Sequence, residues 1–291
     1  MSHEANILIT GATGSIGQEL TKYLSSKGVR FRAMVRSLEK SQQLAALPGA
    51  QLVEGDFEDA RSLEKALAGI ERVFLLTNSS ERAEQQQSRL VEVARRSGVS
   101  HIVKLSQWAA DIHSPVRFLR YHAVVEQKIE DSGMAYTFLR PNLFMQGLIG
   151  FRESIVEHNQ FFGAVGDAKV SLVDTRDIAA VAGEVLIGTG HENRIYNLTG
   201  PEALSHQQMA LKLSEAVGRE IQFVDVPSDV LLNMLLSAGF PLWQAEGLVE
   251  DYAHYKAGEA AEVSYDIRSI TGREASDFSV FAEDYKNFFR D

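Results

Sequence analysis

Asn6-Ile-Leu-Ile-Thr10 is an apolar stretch that runs without a break into Gly11-Ala-Thr-Gly14-Ser-Ile-Gly17, a glycine-rich turn. Gly11 suits a tight turn, because a residue without Cβ adopts positive φ at no steric cost. Gly14 lets the backbone approach a phosphate, and Gly17 lets the following helix lie close to the sheet. The N–H groups and positive dipole end of that helix attract anions. This order predicts the start of a dinucleotide-binding unit, whose predicted contacts are Gly11, Thr13, Gly14, Ser15, Ile16 and Gly17.

The residues around the turn support this prediction. Glycine triplets of this spacing also occur by chance in loops, so the pattern needs a strand before it and a helix after it. Ile16, Leu20 and Leu24 follow at helical spacing and give that helix one apolar face. The context therefore favours nucleotide binding over a chance loop.

Composition excludes several classes of function. The chain has 29 basic and 39 acidic residues, a formal net charge of -10, which argues against nucleic acid or an anionic membrane as a partner. It has no cysteine, so disulfides, thiolate nucleophiles and cysteine-bound zinc are excluded. Its eight histidines show no metal-ligand spacing. Because no signal-peptide pattern and no apolar run of about 18 residues occur, we expect a cytoplasmic protein without a metal or a membrane segment.

Strands and helices alternate regularly over the first half of the chain. The strands are predicted at 6–10, 29–35, 50–54, 72–76, 101–106 and 135–140, and the helices after the first at 38–47, 60–68, 81–97 and 115–131. Residues 73–76 are continuously apolar, as in a parallel strand that is covered on both faces. This alternation predicts an α/β fold with a doubly wound parallel sheet of the Rossmann type and right-handed crossovers.

The regular alternation ends at Pro141. Residues 142–166 are rich in Phe, Gly and polar residues and indicate an excursion, whereas 169–173 and a helix at 174–186 are predicted to return to the sheet. A further strand is predicted at 194–198, and the chain beyond 200 is mostly helical with one strand at 221–226. We therefore predict a dinucleotide-binding domain of 1–141 plus about 167–198, and a smaller, mostly helical domain of 142–166 plus about 199–291.

The end of the second predicted strand distinguishes the two nicotinamide dinucleotides. An acidic residue there binds the ribose 2′-OH of NAD, and an arginine accommodates the 2′-phosphate of NADP. The chain has Val35-Arg36-Ser37, and the Arg36 guanidinium offers a planar fork of donors to a phosphate. Lys40, one helical turn further on, adds positive charge. Arg36 is either a phosphate ligand or a solvated strand-end residue, and we predict NADP(H) as the cofactor.

Two further strand ends carry predicted cofactor contacts. Asp56 and Phe57 follow the third strand, where they either accept from the adenine amino group and pack on its ring or belong to a helix cap. Leu76 and Thr77 end the fourth strand, where the middle of the cofactor passes in such sheets.

Several motifs together resemble one family, the NmrA-like group of atypical short-chain dehydrogenases/reductases. They are Gly11-Ala-Thr-Gly14-Ser-Ile-Gly17, Met34-Val-Arg36, Gly55-Asp56, Val103-Lys-Leu-Ser106, Tyr136-Thr-Phe-Leu-Arg-Pro141, Val173-Asp-Thr-Arg-Asp-Ile-Ala179 and Thr271-Gly-Arg273 with Phe278 and Phe281. The resemblance covers nearly the whole chain and is strongest to NADPH-dependent quinone, triarylmethane-dye and azo-dye reductases. The same group contains non-catalytic NADP-binding redox sensors that regulate transcription, so the resemblance implies fold and cofactor more firmly than activity.

The helix predicted after the fifth strand lacks the Tyr-x-x-x-Lys pair that ordinary short-chain dehydrogenases carry there. Tyr121 is followed four residues later by Val125, and the nearest lysine on that helix is Lys128, seven residues on, so no lysine has the spacing that the pair requires. His122 and Glu126 have that spacing instead, and the NmrA-like reductases carry a similar His…Glu pattern. Either His122 lines the nicotinamide pocket or the two residues form a surface ion pair.

The remaining catalytic candidates lie at the ends of the fifth and sixth strands. Ser106 matches the position of the dehydrogenase serine, and Gln107 follows it. Lys104 lies on the same face of that strand, where a strand-edge charge is the more ordinary interpretation. Pro141, Asn142 and Phe144 are predicted to contact the nicotinamide or an aromatic substrate. Phe161, Phe162 and Trp243 are candidate pocket walls, although aromatic residues in a small domain are more often part of the core.

Two functions of different classes fit these residues. The first is a reductase that transfers hydride from NADPH to an electron-poor aromatic small molecule such as a quinone or dye, which needs a positioned proton donor less than a simple ketone does. The second is a non-catalytic NADP(H) sensor that binds another protein. We predict catalysis by Ser106, His122 and Asn142, and a homodimer as the expected assembly.

Overall fold

A computed structural model describes residues 5–290, and the strands and helices below are those of this range. The strands are β1 (Ile7–Ile9), β2 (Phe31–Val35), β3 (Ala50–Glu54), β4 (Arg72–Leu75), β5 (His101–Leu105), β6 (Ala135–Pro141), β7 (Gln160–Gly163), β8 (Lys169–Val170), β9 (Arg194–Leu198), β10 (Leu204–Ser205) and β11 (Gln222–Asp225). The helices are α1 (Ser15–Ser26), α2 (Gln42–Ala45), α3 (Ala60–Leu67), α4 (Ala83–Arg96), α5 (Arg117–Asp131), α6 (Arg152–His158), α7 (Thr175–Ile187), α8 (His206–Val217), α9 (Ser228–Ser237), α10 (Leu242–Lys256), α11 (Asp266–Thr271) and α12 (Phe278–Arg290). Two 3₁₀ segments cover Glu39–Ser41 and Met145–Phe151.

The central sheet has seven strands in the order β3-β2-β1-β4-β5-β6-β9. The pairs from β3 to β6 are parallel. β9 continues in the same direction, since Asn193 N donates to Tyr136 O and Asn142 N donates to Leu198 O. The strand order reverses at β1, between β2 and β4, which is the point where ligands bind in such sheets. The predicted Rossmann-type α/β fold is confirmed.

The chain divides into two compact units. The first comprises the residues up to 113, 119–140 and 178–196, and the second comprises 114–118, 141–177 and the residues from 197 onward. Residues 167–177 therefore group with the second unit, and the first unit resumes only at residue 178. The core of the first unit is formed by side chains of the sheet and of α3, α4 and α5, among them Leu63, Val73, Leu90, Ile102 and Val125.

The second unit has its own core and two small sheets. β7 pairs with β11 in parallel, and β8 pairs with β10 in antiparallel orientation. Its core is built from the 3₁₀ segment, β7, α8 and α12, with Met145, Phe161, Leu213, Phe281 and Phe289 buried. Within the described residues the second unit is mostly helical, with two small sheets of short strands beside its helices.

Two predicted elements are wrong. The strand predicted at 169–173 does not return to the central sheet, because only Lys169–Val170 is extended in a ladder and its partner is Leu204–Ser205. Beyond it, Ser171 N donates to Ala260 O instead. The helix predicted at 38–47 is a 3₁₀ turn followed by the single turn of α2.

Candidate functional site

The glycine turn between β1 and α1 has the geometry that its sequence predicts. Gly11 has a φ of 64°, and Gly14 N donates to Gly11 O over 3.0 Å, which closes the turn. A Cβ at Gly17 would lie 2.1 Å from Gly11 O, so glycine is required for helix and turn to approach this closely. Gly14 caps α1 without a side-chain hydrogen bond. The first N–H groups of the helix therefore suit a ligand oxygen, and the exposed backbone at 13–15 suits a phosphate.

Arg36 follows β2 directly and is exposed. Among the described residues, its side chain has no hydrogen bond or ion pair. A guanidinium in this state at the carboxyl end of β2 suits a phosphate, which it can bind through two parallel N–H donors. The position therefore fits a 2′-phosphate.

Asp56 and Phe57 both make contacts within the protein. Asp56 Oδ1 accepts from Glu58 N over 2.9 Å, which is a local turn, and the cap of α3 is supplied by Asp59 instead. Phe57 is half-buried and packs against the core of the first unit. Both residues remain predicted adenine contacts, but these local interactions favour a structural role.

The end of β4 contacts the glycine turn. A Cβ at Gly11 would lie 2.9 Å from Leu76 Cγ, and Thr10 Oγ1 donates to Leu76 O over 3.0 Å. Thr77 Oγ1 accepts from Gln87 Nε2 over 2.8 Å, whereas Gln87 Oε1 is buried with no partner within the described residues. Leu76 therefore lies beside the turn and Thr77 follows it in the chain, and the contact of both residues with the middle of a dinucleotide stays a prediction.

Five polar side chains meet between the carboxyl ends of β5 and β6 and helix α5, and we call them the β5–α5 cluster: Lys104, Ser106, His122, Glu126 and Arg140. Lys104 is fully buried, and its Nζ lies 2.6 Å from His122 Nδ1. Ser106 Oγ donates to Glu126 Oε1 over 2.5 Å. Arg140 donates to both oxygens of the Glu126 carboxylate, with its Nε 3.0 Å from Oε1. The cluster thus consists of two hydrogen-bonded sets against one face of α5: Lys104 with His122, and Ser106 and Arg140 with Glu126.

Burial controls the protonation of this cluster. It lowers the pKa of Lys104 from 10.5 to about 7, a shift that Glu126 opposes and Arg140 reinforces. Burial also lowers the pKa of His122 well below its ordinary value, with Lys104 and Arg140 adding to the effect. His122 is therefore neutral near pH 7, and its Nδ1 accepts from Lys104. With Lys104 as the ammonium donor, the hydrogen of the imidazole ring lies on Nε2.

Two interpretations that the sequence offered for residues of this cluster are wrong. His122 and Glu126 do not form a surface ion pair, because both are buried and each binds a different partner. Lys104 is not a strand-edge charge, since the alternation of β5 points it, like Ser106, towards α5. Arg140 was missed: the sequence places it at the end of the sixth predicted strand, but not against the buried Glu126 carboxylate that it binds.

The predicted site residues of the second unit are engaged within that unit. Asn142 is buried, and its Nδ2 donates to Ser171 Oγ and Ala260 O, each over 2.9 Å. Its Oδ1 accepts from Leu143 N, so both the nitrogen and the oxygen of its side-chain amide are bonded within the protein. Pro141 ends β6 and is buried, and the half-buried Phe144 bridges to Val173.

The aromatic residues predicted as pocket walls differ in burial. Phe161 is buried in the core of the second unit, with ring centroids 5.4 Å from Phe223. Trp243 is half-buried, and its ring packs on Phe118 and under the Arg117 guanidinium. Phe162 is half-buried as well. Core packing is thus the observed role of Phe161.

The sheet, its switch point and the glycine turn define a dinucleotide-binding α/β protein. The model of the NmrA-like family matches residues 3–288, and the chain belongs to this family. An NAD(P)H azoreductase from Xenophilus azovorans is 36% identical over 277 residues, which cover 95% of this chain and 96% of the relative. Quinone oxidoreductase 2 of Escherichia coli is 30% identical over 270 residues, covering 91% and 93%.

Solved structures extend these similarities. The chain resembles E. coli quinone oxidoreductase QOR2 in complex with NADPH with a TM-score of 0.87, at 28% identity, 96% coverage of this chain and 99% of the other. Citrobacter triphenylmethane reductase in complex with NADP(H) gives a TM-score of 0.85 at the same identity and coverages. NmrA, a negative transcriptional regulator in complex with NADP, shares the fold with a TM-score of 0.81, 17% identity and coverages of 98% and 96%.

Two searches of the described residues bear on other classes of site. Between residues 5 and 290, no helix is long and apolar enough to cross a bilayer. The same residues contain no group of three or more His, Asp or Glu side chains placed to hold a metal ion.

Proposed function

We propose that this protein is an NADPH-dependent reductase that transfers hydride to an electron-poor aromatic acceptor, such as a quinone, an azo dye or a triarylmethane dye. The observation that carries the proposal is the β5–α5 cluster, a buried polar set at the same sheet edge as the glycine turn. A neutral imidazole with its hydrogen on Nε2 and a serine hydroxyl are groups that can orient a nicotinamide and an acceptor oxygen.

The cofactor residues are assigned from the geometry of the first unit. The backbone at 13–15 would hold the pyrophosphate, Arg36 would bind the 2′-phosphate, and Leu76 and Thr77 would lie along the middle of the dinucleotide. The bound dinucleotide supplies the hydride, and the protein supplies binding and orientation. Ser106, whose hydrogen is directed to Glu126, keeps its oxygen as an acceptor for an amide N–H.

The class of hydride acceptor follows from the absence of a dehydrogenase lysine on α5. Val125 stands where a dehydrogenase lysine would lie, four residues after Tyr121, and it is buried. Without a phenol activated by a lysine, a simple ketone is a poor substrate, whereas a quinone or a cationic dye accepts hydride readily. The reductases among the relatives, named for azo, quinone and triphenylmethane substrates, support the same class.

The test is stopped-flow loss of NADPH absorbance with a panel of quinones, azo dyes and triarylmethane dyes. We expect saturable oxidation with at least one of these classes and a preference for NADPH over NADH. Tight NADPH binding without turnover of any acceptor would refute the reductase and favour the second candidate, an NADP(H)-binding sensor. The observation that supports the sensor is that α5 has Val125 where the lysine of a Tyr-x-x-x-Lys pair would follow Tyr121. The cytoplasmic location and the homodimer remain predictions from the sequence.

A further inference from the structure

We propose that Lys104 and His122 form a proton relay, in which His122 protonates the reduced acceptor and Lys104 replaces the proton that His122 gives up. This inference rests on the proposed function, because the relay needs a hydride acceptor that develops negative charge. It assigns to Lys104 a positioning and proton-supplying role that acts only through His122.

The geometry points to the relay because the two groups form a directed chain. Lys104 Nζ lies 2.6 Å from His122 Nδ1 and 3.1 Å from Leu105 O. An ammonium has no acceptor site, so the lysine donates and the imidazole accepts. Among the described residues, Nε2 of His122 makes no hydrogen bond. The ring therefore carries a donor at the end that is not bound to Lys104.

The surroundings of Lys104 keep it from serving as a structural cation. The charged and titratable groups around it are His122 and Glu126 from α5 and Arg140 from β6. Glu126 is already bound by Arg140 and Ser106, and Lys104 has no ion pair with it. Burying a lysine without a carboxylate partner is costly, and a role in proton transfer gives a reason to keep it. Burial lowers the pKa of Lys104 to about 7, which is suited to giving and regaining a proton near neutral pH.

The step balances for a quinone. Hydride from NADPH brings two electrons and one hydrogen to the quinone, which becomes a hydroquinone monoanion. The proton on His122 Nε2 passes to the anionic oxygen, and a proton from Lys104 Nζ passes to His122 Nδ1. Hydroquinone, a neutral Lys104 and an imidazole with its hydrogen on Nδ1 result. Because Lys104 is fully buried, the proton from solvent enters at His122 Nε2, and Nδ1 returns its proton to Lys104, which restores the ammonium and the starting tautomer. The imidazole exchanges one tautomer for the other and is never doubly protonated, in agreement with its lowered pKa.

The first experiment measures the tautomer and does not depend on turnover. Protein labelled with ¹⁵N-histidine is compared by long-range ¹H–¹⁵N correlation for the wild type, Lys104→Met and His122→Gln, the last of which assigns the signal. We expect His122 of the wild type to have its hydrogen on Nε2 at pH 7, and Lys104→Met to shift the ring towards a mixture of tautomers. A wild-type ring with its hydrogen on Nδ1, or an unchanged ring in the variant, would overturn the relay.

The second experiment measures the pH profile of turnover with a quinone. Wild-type kcat is expected to fall above pH 7 as Lys104 loses its proton, and Lys104→Met is expected to be about 100-fold slower at pH 7 with a flat profile, which is the lower range for general acid catalysis. KM for NADPH stays unchanged. Lys128→Met is the matched control, since Lys128 is an exposed residue of α5, the helix that carries His122, and donates to Ser88. It should retain wild-type kcat and profile.

The outcomes separate the two proposals. If the wild type oxidises no NADPH with any acceptor, the proposed function fails, and with it the relay. If the wild type is active but Lys104→Met keeps its rate and its pH profile, the relay alone is wrong. A loss of activity that arises only because Lys104→Met unfolds is detected by urea unfolding. In that case the tautomer of His122 in the folded wild type, read from the signal that His122→Gln assigns, still decides the inference.

Discussion

The glycine turn and the β5–α5 cluster both belong to the first unit, but they are built from different materials. The turn is made of backbone atoms, and its geometry requires glycine, because a Cβ at Gly17 would lie 2.1 Å from Gly11 O. The cluster is made of side chains from β5, α5 and β6 that satisfy one another in a buried space. The glycine turn, which requires residues without Cβ, is encoded by the spacing of residues within one segment. The β5–α5 cluster, which requires paired side chains, is encoded by three segments that are distant in the sequence.

This difference leads to different responses to substitution. Changes in the turn should affect cofactor binding by steric means, independent of pH. Changes in the cluster should affect stability and proton transfer by electrostatic means, with a clear dependence on pH. The following substitutions test that contrast, beginning with the largest expected effect.

Arg140→Met is expected to destabilise the protein by about 3–5 kcal/mol, because it leaves the buried Glu126 carboxylate without its bidentate partner. The measurement is urea unfolding at pH 7. The double variant Arg140→Met/Glu126→Gln removes the uncompensated charge and should recover part of the loss. Additive losses in the double variant would contradict a coupled pair.

Gly17→Ala is expected to cost about 3 kcal/mol of stability, the upper range for overpacking, and to weaken dinucleotide binding about 100-fold by pushing α1 away from the turn. Its matched control is Gly14→Ala, whose Cβ would lie 3.4 Å from Gly11 O. Gly14→Ala should fold normally and lose only binding. Equal thermal midpoints for Gly17→Ala and the wild type would refute the close approach of helix and turn.

Arg36→Ala should weaken NADPH binding by roughly 1.5–3 kcal/mol, the range for charge-assisted hydrogen bonds, and leave NADH binding nearly unchanged. Fluorescence titration with both dinucleotides checks this, with Arg95→Ala as a control at an exposed arginine in the last turn of α4. A loss that is equal for both cofactors would argue against a 2′-phosphate at this position.

Lys104→Met should remove a specific pH dependence of stability. The pKa of Lys104 is about 7 in the folded protein and 10.5 ordinarily, so between these values the unfolded chain binds more protons and stability rises with pH. For the wild type this amounts to about 2 kcal/mol between pH 7 and pH 9. Unfolding of Lys104→Met at both pH values should lack this increase, whereas an unaltered increase would show that Lys104 is not the titrating group.

The sequence allowed much of the first unit to be predicted. Strands at 50–54 and 194–198 have the predicted bounds, because turn-forming residues flank each segment, Gly49 and Gly55 in the first case and Asn193 and Gly200 in the second. The turn was equally accessible, since Gly11 and Gly17 are required by local geometry. The return to the sheet at 169–173 was wrong, because a short apolar run does not specify which strand pairs with it, and Lys169–Val170 pairs with Leu204–Ser205.

The cluster was only half accessible from the sequence. The spacing of His122 and Glu126 placed them on one helix face, and the alternation of β5 placed Lys104 and Ser106 together. What the sequence could not provide is which of these pairs with which, since Lys104 binds His122 while Arg140, from another strand, takes Glu126. Such pairings depend on packing between β5, β6 and α5.

The central claim is that this protein transfers hydride from NADPH to an aromatic acceptor. The most direct test uses NADPH deuterated at C4 of the nicotinamide and a cationic triarylmethane dye, whose central carbon keeps the transferred atom. Mass spectrometry of the reduced dye is predicted to show one deuterium at that carbon with one of the two C4-deuterated stereoisomers and none with the other. Dye that is reduced without deuterium from either stereoisomer would contradict the account, as would the absence of NADPH oxidation by this dye, by quinones and by azo dyes alike.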